Sequence, residues 1–252
     1  MSAKRFAYYL GLDLGQSADY TALAIIEEPL WANGSWVSPA TMDRGYYMLL
    51  REENRRRGRP PHPPLEVRHL ERFELGTSYT TIVKRVKEIA YTPPLVELPS
   101  GLLIDKTGVG AAVLDAFEHS GIRPTAITIH GGSAVSYDPS GRRGYRVPKR
   151  DLVSAVQVLL QNRRLKIAAS LPEASTLKKE LLNFRVKVDP ATAHDSYEHW
   201  REGDHDDLVL AVAIACWCRE WLNQFAEGRH AKEERNRLKA RWESNSKGNE
   251  RP

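Results

Sequence analysis

LLIDKTGVGAAVLDAFEHSGIRPTAITI, Leu102–Ile129, is the most regular stretch of the chain and decides its fold class. Leu102 to Asp105 reads as a strand, Lys106-Thr107-Gly108 as a turn, Val109 to His119 as a helix, and Thr125 to Ile129 as a second strand. The connection is about as long as parallel pairing of two strands requires, which predicts an α/β fold. Asp105 lies where the strand gives way to the helix. In open α/β sheets, that carboxyl end of a strand is where ligands bind.

Upstream, Tyr8 to Ile26 reads as two strands joined by a polar turn at Gly15-Gln16-Ser17-Ala18-Asp19, with Asp13 at the end of the first. Glu28 to Pro64 loses periodicity and ends in RRRGRPPHPP, which marks an exposed insertion. Glu66 to Leu75 alternates as a third strand. Thr77 or Ser78 can cap a helix that places Ile82, Val83, Val86 and Ile89 on one face.

Downstream of the central unit, Gly131 to Arg146 reads as a flexible polar loop. Lys149 or Asp151 opens an amphipathic helix to about Leu160. Arg164 to Ala168 is a short strand, and a helix runs from about Leu171 to Asn183. Phe184–Val188 and Ser196–Trp200 have the pattern of a hairpin. Asp207 opens an apolar helix to about Phe225, and a charged tail at 228–252 follows, leaving 1–227 as the main domain.

The 252 residues are enough to bury a continuous core, and a hydrophobic fraction of 41% with 27% charged residues describes an ordinary globular protein. The longest apolar run, Leu208 to Trp217, falls well short of the roughly 20 residues needed to cross a bilayer. Asp13 interrupts the apolar start before a signal-peptide core can form, which points to the cytoplasm. Cys216 and Cys218, two apart on a predicted helix, diverge and argue against a disulfide framework or a cysteine zinc site.

The net charge of +5 is unevenly spread. Arg51, Arg55, Arg56, Arg57 and Arg59 fall in the insertion, and Arg142, Arg143, Arg146, Lys149 and Arg150 form a second basic run. Each patch alone is equally well read as a solvated loop. Basic patches combined with clustered acids suit a phosphodiester substrate, because metal carboxylates act on phosphate and the backbone needs basic neighbours.

Asp13 and Asp105 sit at the ends of apolar strands, where an unpartnered carboxylate is costly. Either could instead serve locally, Asp13 in its turn and Asp105 as a helix cap. Asp206 and Asp207 open a helix, where one acid suffices for capping and a favourable dipole contact. Two, preceded by Asp204 and His205, exceed that need. Together these acids suit a pair of Mg²⁺ or Mn²⁺ ions, which take oxygen ligands and assist phosphodiester hydrolysis.

Four stretches in order, GLDLGQSADYTALAII (11–26), LLIDKTGVGAAVLDAF (102–117), VPKRDLVSAVQVLLQNRRLKI (147–167) and GDHDDLVLAVAIACW (203–217), resemble the nuclease domain of the large terminase subunit of tailed bacteriophages. The resemblance spans about Tyr8 to Arg219. It implies a ribonuclease-H-like mixed sheet flanked by helices and a metal-dependent endonuclease that cuts double-stranded DNA during viral genome packaging. The metal acids would be Asp13, Asp105 and the Asp206-Asp207 pair, with Asp207 favoured as direct ligand and Asp206 as second ligand or water orienter. Asp19, Asp204 and His205 would form an outer shell. Arg142, Arg143, Arg146, Lys149 and Arg150 would contact DNA.

Implied partners are duplex DNA, a separate packaging ATPase, a small terminase subunit and a portal, in the cytoplasm of a bacterial host and without a membrane. No GxxxxGK[ST] loop occurs in the sequence, so this stretch is not expected to hydrolyse ATP by itself. Three other readings use the same residues. A junction resolvase of the same superfamily would prefer branched DNA; a DNA-binding or assembly module would bind without cutting. A sugar-kinase-like ATPase would need a second lobe.

Overall fold

Arg5–Asp13 (β1) is the strand on which the rest of the sheet is laid. It pairs antiparallel with β2 (Ala22–Leu30) and parallel with β4 (Ser100–Asp105). Outward from β2 come β3 (Leu65–Arg72) and β8 (Leu165–Ile167). Outward from β4 come β5 (Thr125–His130), β7 (Gly144–Pro148) and β6 (Ser136–Tyr137). The eight-stranded order is β6-β7-β5-β4-β1-β2-β3-β8. Antiparallel pairing is confined to β1–β2, β2–β3 and β6–β7, so every strand except β2 and β6 runs in one direction. One edge of the sheet therefore collects the carboxyl ends of β1, β3, β4, β5 and β7.

The computed structural model describes residues 5–15, 19–30, 64–98, 100–108, 111–140, 143–183 and 205–221. The hairpin expected at 184–200, most of the expected insertion at 28–64, the tail at 228–252, and residues Arg142 and Asp204 lie outside them. The chain divides into two compact units, Met1–Cys218 and Arg219–Pro252. Among the described residues, no helix is long and apolar enough to cross a membrane.

Strand side chains alternate between faces, and β1 shows what each face packs against. Tyr8, Leu10 and Leu12 join Leu23, Ile25, Leu102, Ile104 and Ala126 in a core closed by α1 (Tyr79–Ala90) and α2 (Ala111–His119). Those helices contribute Ile82, Val83 and Val86, and Val113, Leu114 and Phe117. Full burial of residues such as Leu12, Ile104 and Phe117 contributes roughly 1.5–3 kcal/mol each. Ser78 caps α1 as expected, accepting the Thr81 amide at 3.3 Å.

On the opposite face lies α5, helical over 207–221, its apolar residues from Leu208 to Trp217 almost all buried. Gly11 is the reason it can lie so close. A Cβ at that position would collide with the Ala211 carbonyl oxygen and sit 3.1 Å from the Ala215 amide nitrogen. Between α2 and α5 in the chain come α3 (Lys149–Gln161) and α4 (Ala174–Asn183).

The fold is thus α/β, a mixed sheet flanked by helices. One segment departs from the sequence reading. Residues 131–146 are not simply a polar loop, because Ser136–Tyr137 and Gly144–Pro148 form a hairpin whose second arm joins the sheet parallel to β5. Gly144 has no Cβ to meet the Ala126 carbonyl oxygen, which a side chain would approach at 2.7 Å. That close backbone pairing leaves no hydrophobic periodicity to read. The hairpin is also tied by an ion pair between Lys106 and the buried Asp138.

Candidate active site

Backbone geometry alone brings the predicted acids together. From Gly11 to Asp13 is two strand residues, about 6.6 Å. From Ala211 back to Asp207 is one helical turn, about 6 Å. Since Gly11 touches α5 at Ala211, the helix start arrives over Asp13, on the same face of the sheet. Leu12 is level with Ile104 in the parallel β1–β4 pair, so Asp13 and Asp105 follow side by side. Asp13 also faces Ala22, and Ala22 faces Arg72. The end row across four strands therefore reads Asp105, Asp13, Ala22, Arg72, with the smallest side chain beneath the helix start.

All three principal acids are buried, at 8% exposure for Asp13, 7% for Asp105 and 5% for Asp207. Burial pushes the Asp13 carboxyl well above the usual carboxylate range, and the negative charges of Asp105, Asp207 and Asp206 push it further, with Lys149 opposing. Asp105 is raised to about 6 by burial, against two bonds from Thr107 and the charge of Lys149. Asp207 is raised to about 6, also by burial, against Arg72 and His205 and with Asp206 and Asp19 adding repulsion. Carboxylates that raise one another in this way occupy one electrostatic neighbourhood.

Among the described residues, Asp105 bonds Thr107 rather than an amide of α2. Its Oδ1 accepts from the Thr107 amide at 2.8 Å and the Thr107 hydroxyl at 2.6 Å. The same hydroxyl oxygen accepts the Ile129 amide at 2.8 Å, tying β4 to the end of β5. Gly108, at φ +82°, supplies the left-handed turn that follows.

The helix-start pair is arranged otherwise. The Asp206 carbonyl accepts the Leu210 amide at 2.9 Å, which makes Asp206 the residue at the N-cap position. Its carboxylate, however, turns to Lys149 Nζ at 3.1 Å. The capping is performed by Glu180 of α4, whose Oε2 accepts the Val209 amide at 3.1 Å and which also bonds the Leu208 amide. Burial raises Glu180 to about 7. With the first-turn amides served from another helix, both aspartates are released from capping.

Asp207 Oδ2 lies 3.3 Å from Arg72 Nη2 and 3.8 Å from His205 Nδ1. The Arg72 guanidinium stacks 3.7 Å from the centre of the Tyr20 ring, and Tyr20 meets His205 edge-on at 4.8 Å. Gly15 lies close against the backbone before and at Tyr20, where a Cβ would meet the carbonyl oxygens of Asp19 and Tyr20.

Of the other predicted residues, Asp19 is exposed beside this group, and His205 belongs to it. Lys149 is drawn into the acids. Arg150 donates to the Ser133 carbonyl at 2.7 Å, and Arg143 and Arg146 are exposed on the hairpin. Sequence reading missed Arg72, Glu180 and Tyr20. Glu180 did carry a signal, as an acid on the apolar face of α4 with Ala174 and Leu177.

The candidate donors are all carboxylate oxygens, the set that hard divalent cations prefer. Among the described residues, no three His, Cys, Asp or Glu side chains stand close enough to hold an ion as they are. Two of these acids are engaged by cations instead, Asp206 by Lys149 and Asp207 by Arg72.

The nuclease of the large terminase from the thermophilic phage G20c superposes with a TM-score of 0.50 over 83% of this chain and 81% of that one, at 19% identity. The fold is that of a large terminase nuclease. Lower overlaps are found with the human cytomegalovirus terminase nuclease domain, Mn soaked, and with the Mn-bound nuclease domain of the large terminase of bacteriophage SPP1. Both have TM-scores of 0.44 and 12% identity; the first covers 84% of this chain and 83% of its own, the second 83% and 84%. No protein-family model matches the sequence, and no curated protein matches it significantly. The terminase-nuclease fold thus rests on structure rather than on sequence similarity.

Proposed function

We propose that the chain is a divalent-metal-dependent endonuclease that hydrolyses phosphodiester bonds of double-stranded DNA, in the service of viral genome packaging. The observation that carries this reading is the gathering of Asp13, Asp105, Asp206 and Asp207 at one sheet edge while Glu180 does the capping. Gathering four acids carries an electrostatic cost, raising the Asp13 carboxyl well above the usual range, that a bound cation would offset.

Asp13, Asp105 and Asp207 would hold Mg²⁺ or Mn²⁺, two ions in all, with Asp206 as further ligand or water orienter. Bound ions of this kind supply a nucleophilic water at neutral pH and charge neutralisation at the leaving oxygen. Thr107 fixes the Asp105 carboxylate in orientation through two bonds to one oxygen. Glu180 fixes the start of α5, and so the height of Asp207 above Asp13. Arg143 and Arg146, with Arg142, would hold duplex backbone without reading bases, so cutting has weak sequence preference and strong salt dependence. Asp19, Asp204 and His205 act from the outer shell. A packaging ATPase, small terminase subunit and portal are the proposed partners, in the cytoplasm of a bacterial host.

The deciding experiment is plasmid cleavage in EDTA, Mg²⁺ and Mn²⁺ beside folded Asp13→Ala and Asp207→Ala variants. Cleavage is expected only with metal and only in the parent protein. Undiminished cutting in EDTA, or by either variant, would refute the mechanism.

A further inference from the structure

Arg72 stands at the site without belonging to any motif. It closes the end row Asp105, Asp13, Ala22, Arg72, and its side chain is only 17% exposed. Nη2 contacts Asp207 Oδ2 at 3.3 Å, and the guanidinium is seated over Tyr20 at 3.7 Å. Its Nε is buried without a hydrogen-bond partner among the described residues, as is Glu180 Oε1. A guanidinium placed to build a buried ion pair would use its fork on both oxygens of the carboxylate. Here the contact is single and long, the ring holds the plane, and one donor is left over.

We infer that Arg72 is an internal counter-cation that competes with the metal for Asp207, holding the site in a low-affinity state until an ion displaces it. The inference rests on the metal-dependent reading above. In the metal-free protein, Arg72 and Lys149 each neutralise one of the two helix-start acids, which lets the four carboxylates coexist. An entering divalent ion takes over that neutralisation at Asp207, so the charge of Arg72 becomes repulsive to it. The Tyr20 ring is then the seat that retains the guanidinium once its carboxylate is taken. An ordinary supporting residue would have the opposite sign, because losing it weakens metal binding.

The test is Mn²⁺ binding to the full chain without DNA at neutral pH, followed by the paramagnetic resonance of free Mn²⁺, with thermal unfolding in EDTA alongside. Arg72→Met is expected to tighten binding about tenfold, the size expected when a unit charge is removed within a few ångströms of a divalent ion in a partly screened site. It is also expected to lower the unfolding temperature in EDTA and to enlarge the rise that Mn²⁺ produces. Arg72→Lys keeps the charge and should stay near the parent affinity. Tyr20→Leu frees the guanidinium without removing it and should tighten binding two- to threefold, roughly, which serves if Arg72→Met does not fold.

Unchanged or weaker binding in a folded Arg72→Met, or in Tyr20→Leu should the first not fold, would overturn the inference. Asp13→Asn separates that failure from failure of the parent reading. If it abolishes Mn²⁺ binding while the Arg72 and Tyr20 variants do not tighten it, only the role of Arg72 falls. If the parent protein takes up no Mn²⁺, or Asp13→Asn takes it up equally, the metal site falls and Arg72 with it.

Discussion

The two halves of the site hold the same chemical group by different means. At the strand ends, Asp13 and Asp105 are fixed by sheet register and by Thr107, with no cation in direct contact with either among the ion pairs described. At the helix start, Asp206 and Asp207 each carry an ion-pair partner, Lys149 and Arg72, and the helix is capped from outside by Glu180. A strand end is rigid because its neighbours are hydrogen-bonded on both sides, so its carboxylates can be left electrostatically strained. A helix start has unsatisfied amides and a mobile first turn, and must be pinned before its acids can point anywhere useful.

The strongest way to break this comparison is to remove charge from each half. Asp13→Asn and Asp105→Asn are expected to lose all measurable cleavage, as is Asp207→Asn. Asp206→Asn should lose only about 10–100-fold, as for a group that supports ligands. Equal loss at Asp206 and Asp13, measured on supercoiled plasmid, would erase the distinction within the helix-start pair.

The supports come next. Thr107→Val removes the hydroxyl bond to Asp105, leaving the one from the residue's own amide, and strands the Ile129 amide, and should cut activity about tenfold. Glu180→Ala exposes the first-turn amides of α5 and should destabilise the protein by about 1 kcal/mol in chemical unfolding, with a comparable loss of cleavage. Glu180→Gln keeps an accepting oxygen and should restore most of the stability. If Glu180→Ala leaves cleavage untouched, the helix start is pinned by something else.

A smaller effect distinguishes the halves by pH. Asp105 and Asp207 have folded values near 6 against an ordinary 3.8, so their ionisation opposes folding. The penalty is complete above about pH 6 and disappears as the pH falls from about 6 to about 4. Metal-free protein should therefore become more stable on mild acidification, and Mg²⁺ should abolish that gain by favouring the ionised forms. Asp138, held near 2 by Lys106, works in the opposite sense and withdraws its stabilisation between about pH 4 and 2. Calorimetric unfolding temperatures that fall steadily from pH 7 to 4 in EDTA would contradict the strain assigned to the acids.

Smallest of all, Arg143→Ala and Arg146→Ala should weaken duplex binding uniformly across sequences and each reduce the salt slope by about one, since both side chains stand in solvent.

The strand-turn-helix-strand unit was legible because its signals are local, a short apolar run in Leu102–Ile104 closed by a turn and a spacing of about 3.6 in the helix after Gly108. Asp13 and Asp105 could be picked out because an acid ending an apolar strand costs free energy that something must offset, and the Asp206-Asp207 pair because it exceeds what capping needs. By itself the sequence determined these elements, their order, and the acids that end them. Which side of the sheet α5 covers, and which acids it meets there, was decided by the contact of Gly11 with Ala211, across about two hundred residues of chain. Arg72 joins the site only through the pairing of β3 with β2, and Glu180 only through packing of α4 against the start of α5. The hairpin of β6 and β7 depends on registry with β5 rather than on any pattern of its own. Local patterns set what each segment can bury, whereas strand register and helix docking are long-range events that fix which charged groups must share the space left over.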